Sequence, residues 1–407
     1  MREIIHISFL GPKQPSHCTR VMQALSAYRL DILDFEQKIS YGQLSLSTVI
    51  AFDHADSKAQ LMKELPILAQ DLKLTVQLTP ILTTESISKN MNNPQQYYIV
   101  TAIANQLSAA EIAKLTQMLE QLGAQIEQIT TLSETDTKNP LIPKDLRRHS
   151  LQVKISATQL TFDVLRHACL ALADQLSIDI AAQTDEIYAT EQRLICFDMD
   201  STLIGQEVID ELAKEAGIGA QVAEITERAM QGELDFQQSF RARVALLKGL
   251  DAAVLPKIAA RLTINEGAAH LIATLKARGF RTAIFSGGFQ YFAEYVQAQL
   301  GIDEVHANHL DIVDGVLTGE VQHSIVDATR KAELLQHLAD KMQISLAQTI
   351  AVGDGANDLA MLSHAGLGVA FRAKPKVRQS AAQAISHMGL DAILYLLGIH
   401  DQDRTAA

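Results

Sequence analysis

Two aspartates with one residue between them, Asp198 and Asp200, close an apolar run in the segment LICFDMDSTLI at residues 194–204. Four residues as apolar as Leu194, Ile195, Cys196 and Phe197 suit a strand buried on both faces of a parallel sheet. Open α/β sheets carry their chemistry at the carboxyl ends of such strands. Strand alternation would point both carboxylates to the same side, into one small volume. Two like charges so close are costly unless a divalent cation neutralises them or the two differ in protonation. The alternative is an Asp-rich turn, since Asp, Ser and Thr are common turn formers.

Three further segments bear on that choice. TAIFSGG (282–288) ends an apolar strand in Ser286, Gly287 and Gly288. A hydroxyl and bare backbone N–H groups there suit phosphoryl oxygens, although a tight turn has the same composition. Lys331 opens a helical pattern in DATRKAELL, where a lone lysine is ordinarily solvated. TIAVGDGANDLAML (349–362) runs from a strand into Gly353-Asp354-Gly355 and then Asn357-Asp358. Acidic and amide groups packed so closely behind flexible glycines make a site for a hard cation. Each segment alone is ambiguous. Together, in this order and at strand ends, they make a strong signal.

DMDST, SGG, the distant lysine and GDGANDL resemble the four motifs of the haloacid dehalogenase superfamily of phosphotransferases. The likeness continues between the first two motifs, where Glu207 follows Asp198 and residues 224–250 (EITERAMQGELDFQQSFRARVALLKGL) are similar to the helical cap of phosphoserine phosphatases. It extends over residues 190–395, and caps in this superfamily determine the substrate. The resemblance implies a Mg²⁺-dependent hydrolysis of O-phospho-L-serine, the last step of serine biosynthesis. It makes Asp198 the nucleophile that forms an aspartyl-phosphate, and Asp200 the general acid and then base. Magnesium would be held by Asp198, the backbone carbonyl of Asp200 and Asp354, with Asp358 as a ligand or just behind one. Oxygen donors with no His or Cys cluster favour Mg²⁺ over zinc.

The same resemblance puts Ser286 and the Gly287 N–H on phosphoryl oxygens, Lys331 between Asp198 and the phosphate, and Asn357 against substrate or phosphate. In the cap, Glu207 and Arg243 would read the ammonium and carboxylate of phosphoserine, the arginine fork suiting a bidentate carboxylate. Solvated helix faces are the alternative for both. Met230 and Phe236 would cover the substrate, with plain core packing as the alternative. Two other functions stay open: a phosphatase or phosphotransferase for another small phosphomonoester or hydroxy-amino acid, and an amino-acid sensor with a vestigial catalytic half.

Composition narrows the class. The 407 residues predict two to three domains at about 150 residues each. A formal charge of −12 without any Lys/Arg-rich run argues against nucleic acid or an anionic membrane as partner. The three cysteines (Cys18, Cys169, Cys196) are far apart and fit a reducing cytoplasm. The amino-terminal apolar run is too short for a signal peptide core, and no run reaches the roughly 18 apolar residues of a membrane span.

The elements that must position these groups follow from periodicity. Strands alternating with helices from residue 190 to 400 predict an α/β, doubly wound parallel sheet, with a helical cap over about 205–265 inserted after its first strand. The first half reads differently. Strand 4–10 with a Gly-Pro turn at 11 and 12, helix 18–28, strands 30–37 and 44–52, helix 57–72 and strand 74–82 give βαββαβ, a split-βαβ ferredoxin-like unit. A polar linker at 90–96 leads into the same order again: strand 97–104, helix 109–122, strands 124–132 and 151–155, helix 162–176 and strand 178–182. The repeat length is about 90 residues. Two such units, 1–88 and 97–184, resemble tandem ACT domains, which bind amino acids and pair through their sheets or helices. That resemblance implies a homodimer and a serine effector. The first loop, GPKQPSHC, has Ser16 where ligand-binding members carry glycine, and the second, ANQLSAAE, has neither signature, so a purely structural role is the alternative. Residues 184–192 read as a polar connection into the catalytic half.

Overall fold

The structure is a computed structural model and describes residues 3–52, 55–81, 95–133, 142–231, 233–322 and 325–405. It divides into two compact units, Met1–Gln95 and Gln96–Ala407. Residues 90–94 of the expected linker lie outside the described residues.

The first unit is one antiparallel sheet of β1 (Glu3–Pro12), β2 (Leu30–Ser40), β3 (Gln43–Phe52) and β4 (Thr75–Ile81), in the order β2-β3-β1-β4. Alternate residues of β1 (Ile5, Ile7, Phe9) face Val21, Leu25, Leu61 and Leu65 on the two helices, and this forms the core. The expected Gly-Pro turn is absent. β1 runs on through Gly11 and Pro12, which pair with Leu44 and Gln43. Gly11 answers to a close approach instead: a Cβ there would lie 2.9 Å from the Lys73 carbonyl oxygen.

The second unit holds two sheets. The smaller contains β5 (Gln96–Ala104), β6 (Gln125–Thr131), β7 (His149–Ala157) and β8 (Asp179–Thr184), ordered β6-β7-β5-β8, the same topology as the first unit. The larger contains β9 (Leu194–Phe197), β10 (Arg281–Phe289), β11 (Glu304–Val313), β12 (Val316–Gln322), β13 (Thr349–Gly353), β14 (Leu367–Phe371) and β15 (Gln383–Ile385), ordered β12-β11-β10-β9-β13-β14-β15. All pairs are parallel except β11 with β12. The residues of β9 divide between two cores, Ile195 and Phe197 on one side and Leu194 and Cys196 on the other. That is the double-faced burial its composition demands.

β9 lies between β10 and β13, and its last residue, Phe197, is level with Ile284 and Val352, while β10 runs on to Phe289. The chain leaves β9 for one neighbour and later returns to the other, the switch point at which such sheets open a crevice. Between β9 and β10 run the cap helices Val208–Glu215, Gly219–Met230, Phe236–Ala245 and Leu255–Ala259, and an Ile204–Ile264 bridge closes the neck.

One further local reading needs correction, and one stretch holds elements that the sequence does not announce. Residues 184–192 include a helix, Asp185–Ala189, because the Thr184 hydroxyl accepts the Ile187 N–H and two acids occupy the first turn. Beyond residue 371, β15 and the buried Ile393–Leu396 turn complete the fold. The first is three residues long and the second is buried all round, so neither leaves a periodic trace.

Candidate active site

Asp198 still belongs to the sheet: its N–H donates to the Val352 carbonyl at 2.8 Å. Its carboxylate accepts the Met199 N–H at 2.7 Å. Asp200 arrives by another route than the expected strand alternation, because β9 stops at Phe197 and the backbone turns. The Val208 N–H, in the first turn of the first cap helix, donates to Asp200 Oδ1 at 3.0 Å and holds it there. A helix start thus performs the work that the strand was expected to do.

Lys331 sits in the first turn of the helix Ala328–Met342, whose N-cap is Asp327. Its ammonium is fully buried, 2.8 Å from Asp198 Oδ1 and 2.7 Å from Asp358 Oδ1. The solvated-face alternative for this lysine is therefore wrong. Asp358 also accepts the Gly355 N–H at 2.9 Å, and a Cβ on Gly353 would lie 2.4 Å from its carboxyl carbon. The glycines of the GDG turn give the carboxylate room. Asp354 accepts the Thr202 hydroxyl at 3.0 Å. One oxygen each from Asp198, Asp354 and Asp358 lies within 4.8 Å of the others. An all-oxygen, crowded and buried donor set fits a hard divalent cation.

The electrostatics reflect that crowding. Burial and then the Asp358 charge raise Asp198 well above the usual carboxylate range, against the pull of Lys331. Burial and then Glu207 push Asp200 up to about 8, although the Val208 N–H works in the other direction. Burial and then Asp358 push Asp354 up to about 7. Burial disfavours the Lys331 ammonium, but Asp198 and Asp358 outweigh it and hold the lysine protonated.

At the end of β10, Ser286 is fully buried and its Oγ accepts the Gly288 N–H at 2.9 Å. A Cβ on Gly288 would lie 2.3 Å from Asp200 Oδ2, so the glycine lets the two motifs meet. Phe236, at the start of a cap helix, lies over Gly287, where a Cβ would approach its ring to 3.1 Å. Its ring stacks on Phe240 at 6.1 Å. A second strut joins the cap to the helix that carries Lys331, since Gln237 donates to its N-cap, Asp327, at 2.7 Å.

Glu207, the N-cap of the helix Val208–Glu215, accepts the Ser201 hydroxyl at 2.7 Å. Half-buried Arg243 is lowered from its ordinary range by desolvation, against the attraction of Glu207, Asp210 and Asp200. The two charged cap residues thus share one electrostatic environment with the aspartates. Asn357 is half-buried in the turn before Asp358. The Met230 side chain lies outside the described residues.

Sequence reading passed over Thr202 and Asn308. Thr202 stands inside the DMDST motif, so a polar residue beside two aspartates was an available signal. Asn308 is a single amide in β11 without a motif around it.

Comparison with known proteins agrees with this architecture. Residues 192–366 match the haloacid dehalogenase-like hydrolase family, and residues 3–79 match an ACT domain. A similar solved structure is that of a haloacid dehalogenase family hydrolase from Salmonella enterica serovar Typhi: TM-score 0.64, 33% identity, 74% of this chain and 98% of that one. The sheet and the carboxylate cluster at its switch point therefore define a hydrolase of that class. A phosphoserine phosphatase from Streptomyces coelicolor is 38% identical over 98% of this chain and 93% of its own length. One from Mycobacterium tuberculosis is 34% identical over 97% and 92%. The chain belongs to the phosphoserine phosphatase family.

Proposed function

We propose that the chain hydrolyses O-phospho-L-serine to L-serine and phosphate through an aspartyl-phosphate on Asp198, as the last step of serine biosynthesis in the cytoplasm. The observation that carries this reading is the buried Lys331 ammonium bridging Asp198 and Asp358 at 2.8 and 2.7 Å. A lysine fixed against a carboxylate that still has to meet a phosphate suits a nucleophile whose charge must be balanced while a dianion approaches. Phosphoryl transfer asks mainly for positioning and charge neutralisation.

Asp198 attacks phosphorus and the serine oxygen leaves. Asp200, pushed up to about 8, carries a proton at neutral pH and gives it to that oxygen. Having lost it, Asp200 takes a proton from the water that hydrolyses the acyl phosphate. Ser286 and the Gly287 N–H bind phosphoryl oxygens, and Asn357 contacts the phosphate or the substrate. Asp198, Asp354, Asp358 and the Asp200 carbonyl would hold Mg²⁺, which supplies charge neutralisation on the phosphoryl oxygens when bound. Glu207 and Arg243 read the ammonium and carboxylate of the substrate, and Phe236, with Met230, closes over it. We further propose a homodimer with serine as the effector of its ACT-like region.

The test is kcat/KM in Mg²⁺ across a panel of phosphomonoesters, with and without added homoserine. The expected result is a clear preference for phosphoserine and no transfer to the added hydroxyl. Better turnover of another monoester, or phosphohomoserine as product, would replace the substrate. Tight serine binding without any turnover would favour the sensor reading.

A further inference from the structure

Asn308 is a buried polar group beside the Ser286-Gly287-Gly288 segment that the mechanism above leaves without a task. In the β10–β11 ladder, Phe285 pairs with His306 and Phe289 with Asn308. Three residues of β10 (Ser286, Gly287, Gly288) therefore stand opposite one residue of β11, Ala307. That bulge takes the half-buried Gly287 carbonyl out of the regular ladder, where it needs another donor. Asn308, 2% exposed, supplies it: its Nδ2 donates to the Gly287 oxygen at 2.8 Å. Its Oδ1 accepts the Val326 N–H, also at 2.8 Å. Both ends of the amide are engaged, which fixes its orientation.

The C=O of Gly287 belongs to the same planar peptide as the N–H of Gly288, and in a trans peptide the two point in opposite directions. With the carbonyl drawn toward Asn308, that N–H points toward Ser286 and donates to its Oγ at 2.9 Å. A hydroxyl oxygen that accepts there keeps its own proton free to donate. Glycine on both sides of the peptide leaves its orientation poorly constrained by local sterics. A flipped peptide would turn a carbonyl oxygen toward Ser286 and Asp200, where an anion has to bind.

We propose that Asn308 is a positioning residue that locks the Gly287–Gly288 peptide and so presents the Ser286 hydroxyl as a donor to the phosphoryl group. This rests on the reading of the Ser286-Gly287-Gly288 segment as the phosphate site.

Asn308→Asp keeps the acceptor for Val326 but sets an oxygen against the Gly287 carbonyl, and Asn308→Leu removes both bonds. Inorganic phosphate binding is measured by calorimetry in Mg²⁺ on the whole protein, beside kcat, KM and thermal melts. Where a buried variant does not fold, Asn308→Ser, smaller and able to admit water, takes its place. The expected result is phosphate affinity weakened about tenfold in folded variants, with kcat reduced about 10–100-fold and KM for phosphoserine changed less than kcat. Folded variants that bind phosphate as the unaltered protein does would overturn the proposal, as would absence of phosphate binding by the unaltered protein. If the unaltered protein binds phosphate but does not hydrolyse phosphoserine, the functional reading falls, and the phosphate comparison still decides the role of Asn308.

Discussion

Crowded carboxylates are the cost at which this site is built. Asp198, Asp200 and Asp354 all titrate above the ordinary range, chiefly because they are buried. A carboxyl group that binds its proton more tightly folded than unfolded stabilises the fold below its unfolded value of about 3.9, and that contribution is lost as pH rises through the folded value. With Asp354 at about 7 and Asp200 at about 8, metal-free protein should lose thermal stability steadily from pH 5 to pH 8. Magnesium should raise Tm and flatten the slope, because it favours the ionised carboxylates. Melts in EDTA and in Mg²⁺ across that range check this, and parallel curves would contradict it. These acids were legible in the sequence because hard-cation chemistry admits few residue types. Thr202 bonds to Asp354, and Asn308 to both Gly287 and Val326; these partners are distant in the chain, and only folding reveals them.

Elements were legible where their periodicity was long or their burial two-sided. The apolar runs of β9, β10 and β13 announced a parallel sheet, and the charged helical stretch after β9 announced a cap. Mistaken readings fell where one residue serves two purposes. Gly11 looks like a turn and is a close contact, and Asp200 looks like a strand residue and is held by a helix start. The cap also yields a prediction. Arg243 lies on the helix Phe236–Ala245, in the field of Glu207 and Asp200. If its fork takes the substrate carboxylate, Arg243→Ala should lower kcat/KM for phosphoserine by about 10²-fold or more, from loss of a charge-assisted pair. Phosphoethanolamine, which lacks the carboxylate, should be affected far less. Equal losses on both would remove Arg243 from recognition.

At the scale of the second unit, the small sheet and the catalytic sheet meet edge to edge. The Gln383 side chain on β15 accepts the Ala182 N–H of β8 at 3.0 Å and donates to the Ala182 carbonyl, as a neighbouring strand would. Buried Asp179 takes the backbone N–H groups of Ser386, His387 and Met388 at 2.7–3.2 Å. No motif marks this seam, since it joins residues 201 to 209 positions apart through side chains that would suit any surface. Asp179→Ala should destabilise the second unit by on the order of 2 kcal/mol, because buried N–H groups lose their acceptor. Urea melts check this, and a loss below about 0.5 kcal/mol, the ordinary range for surface substitutions, would show that the seam carries little of the stability.

The proposed mechanism turns on one covalent bond. Acid-quenching the enzyme during phosphoserine turnover in Mg²⁺ and mapping the phosphoryl group by mass spectrometry should find it on Asp198, and Asp198→Asn should neither trap phosphate nor turn over while remaining folded. A phosphoryl group on another residue, or steady turnover with no trapped species and an active Asp198→Asn enzyme, would contradict it.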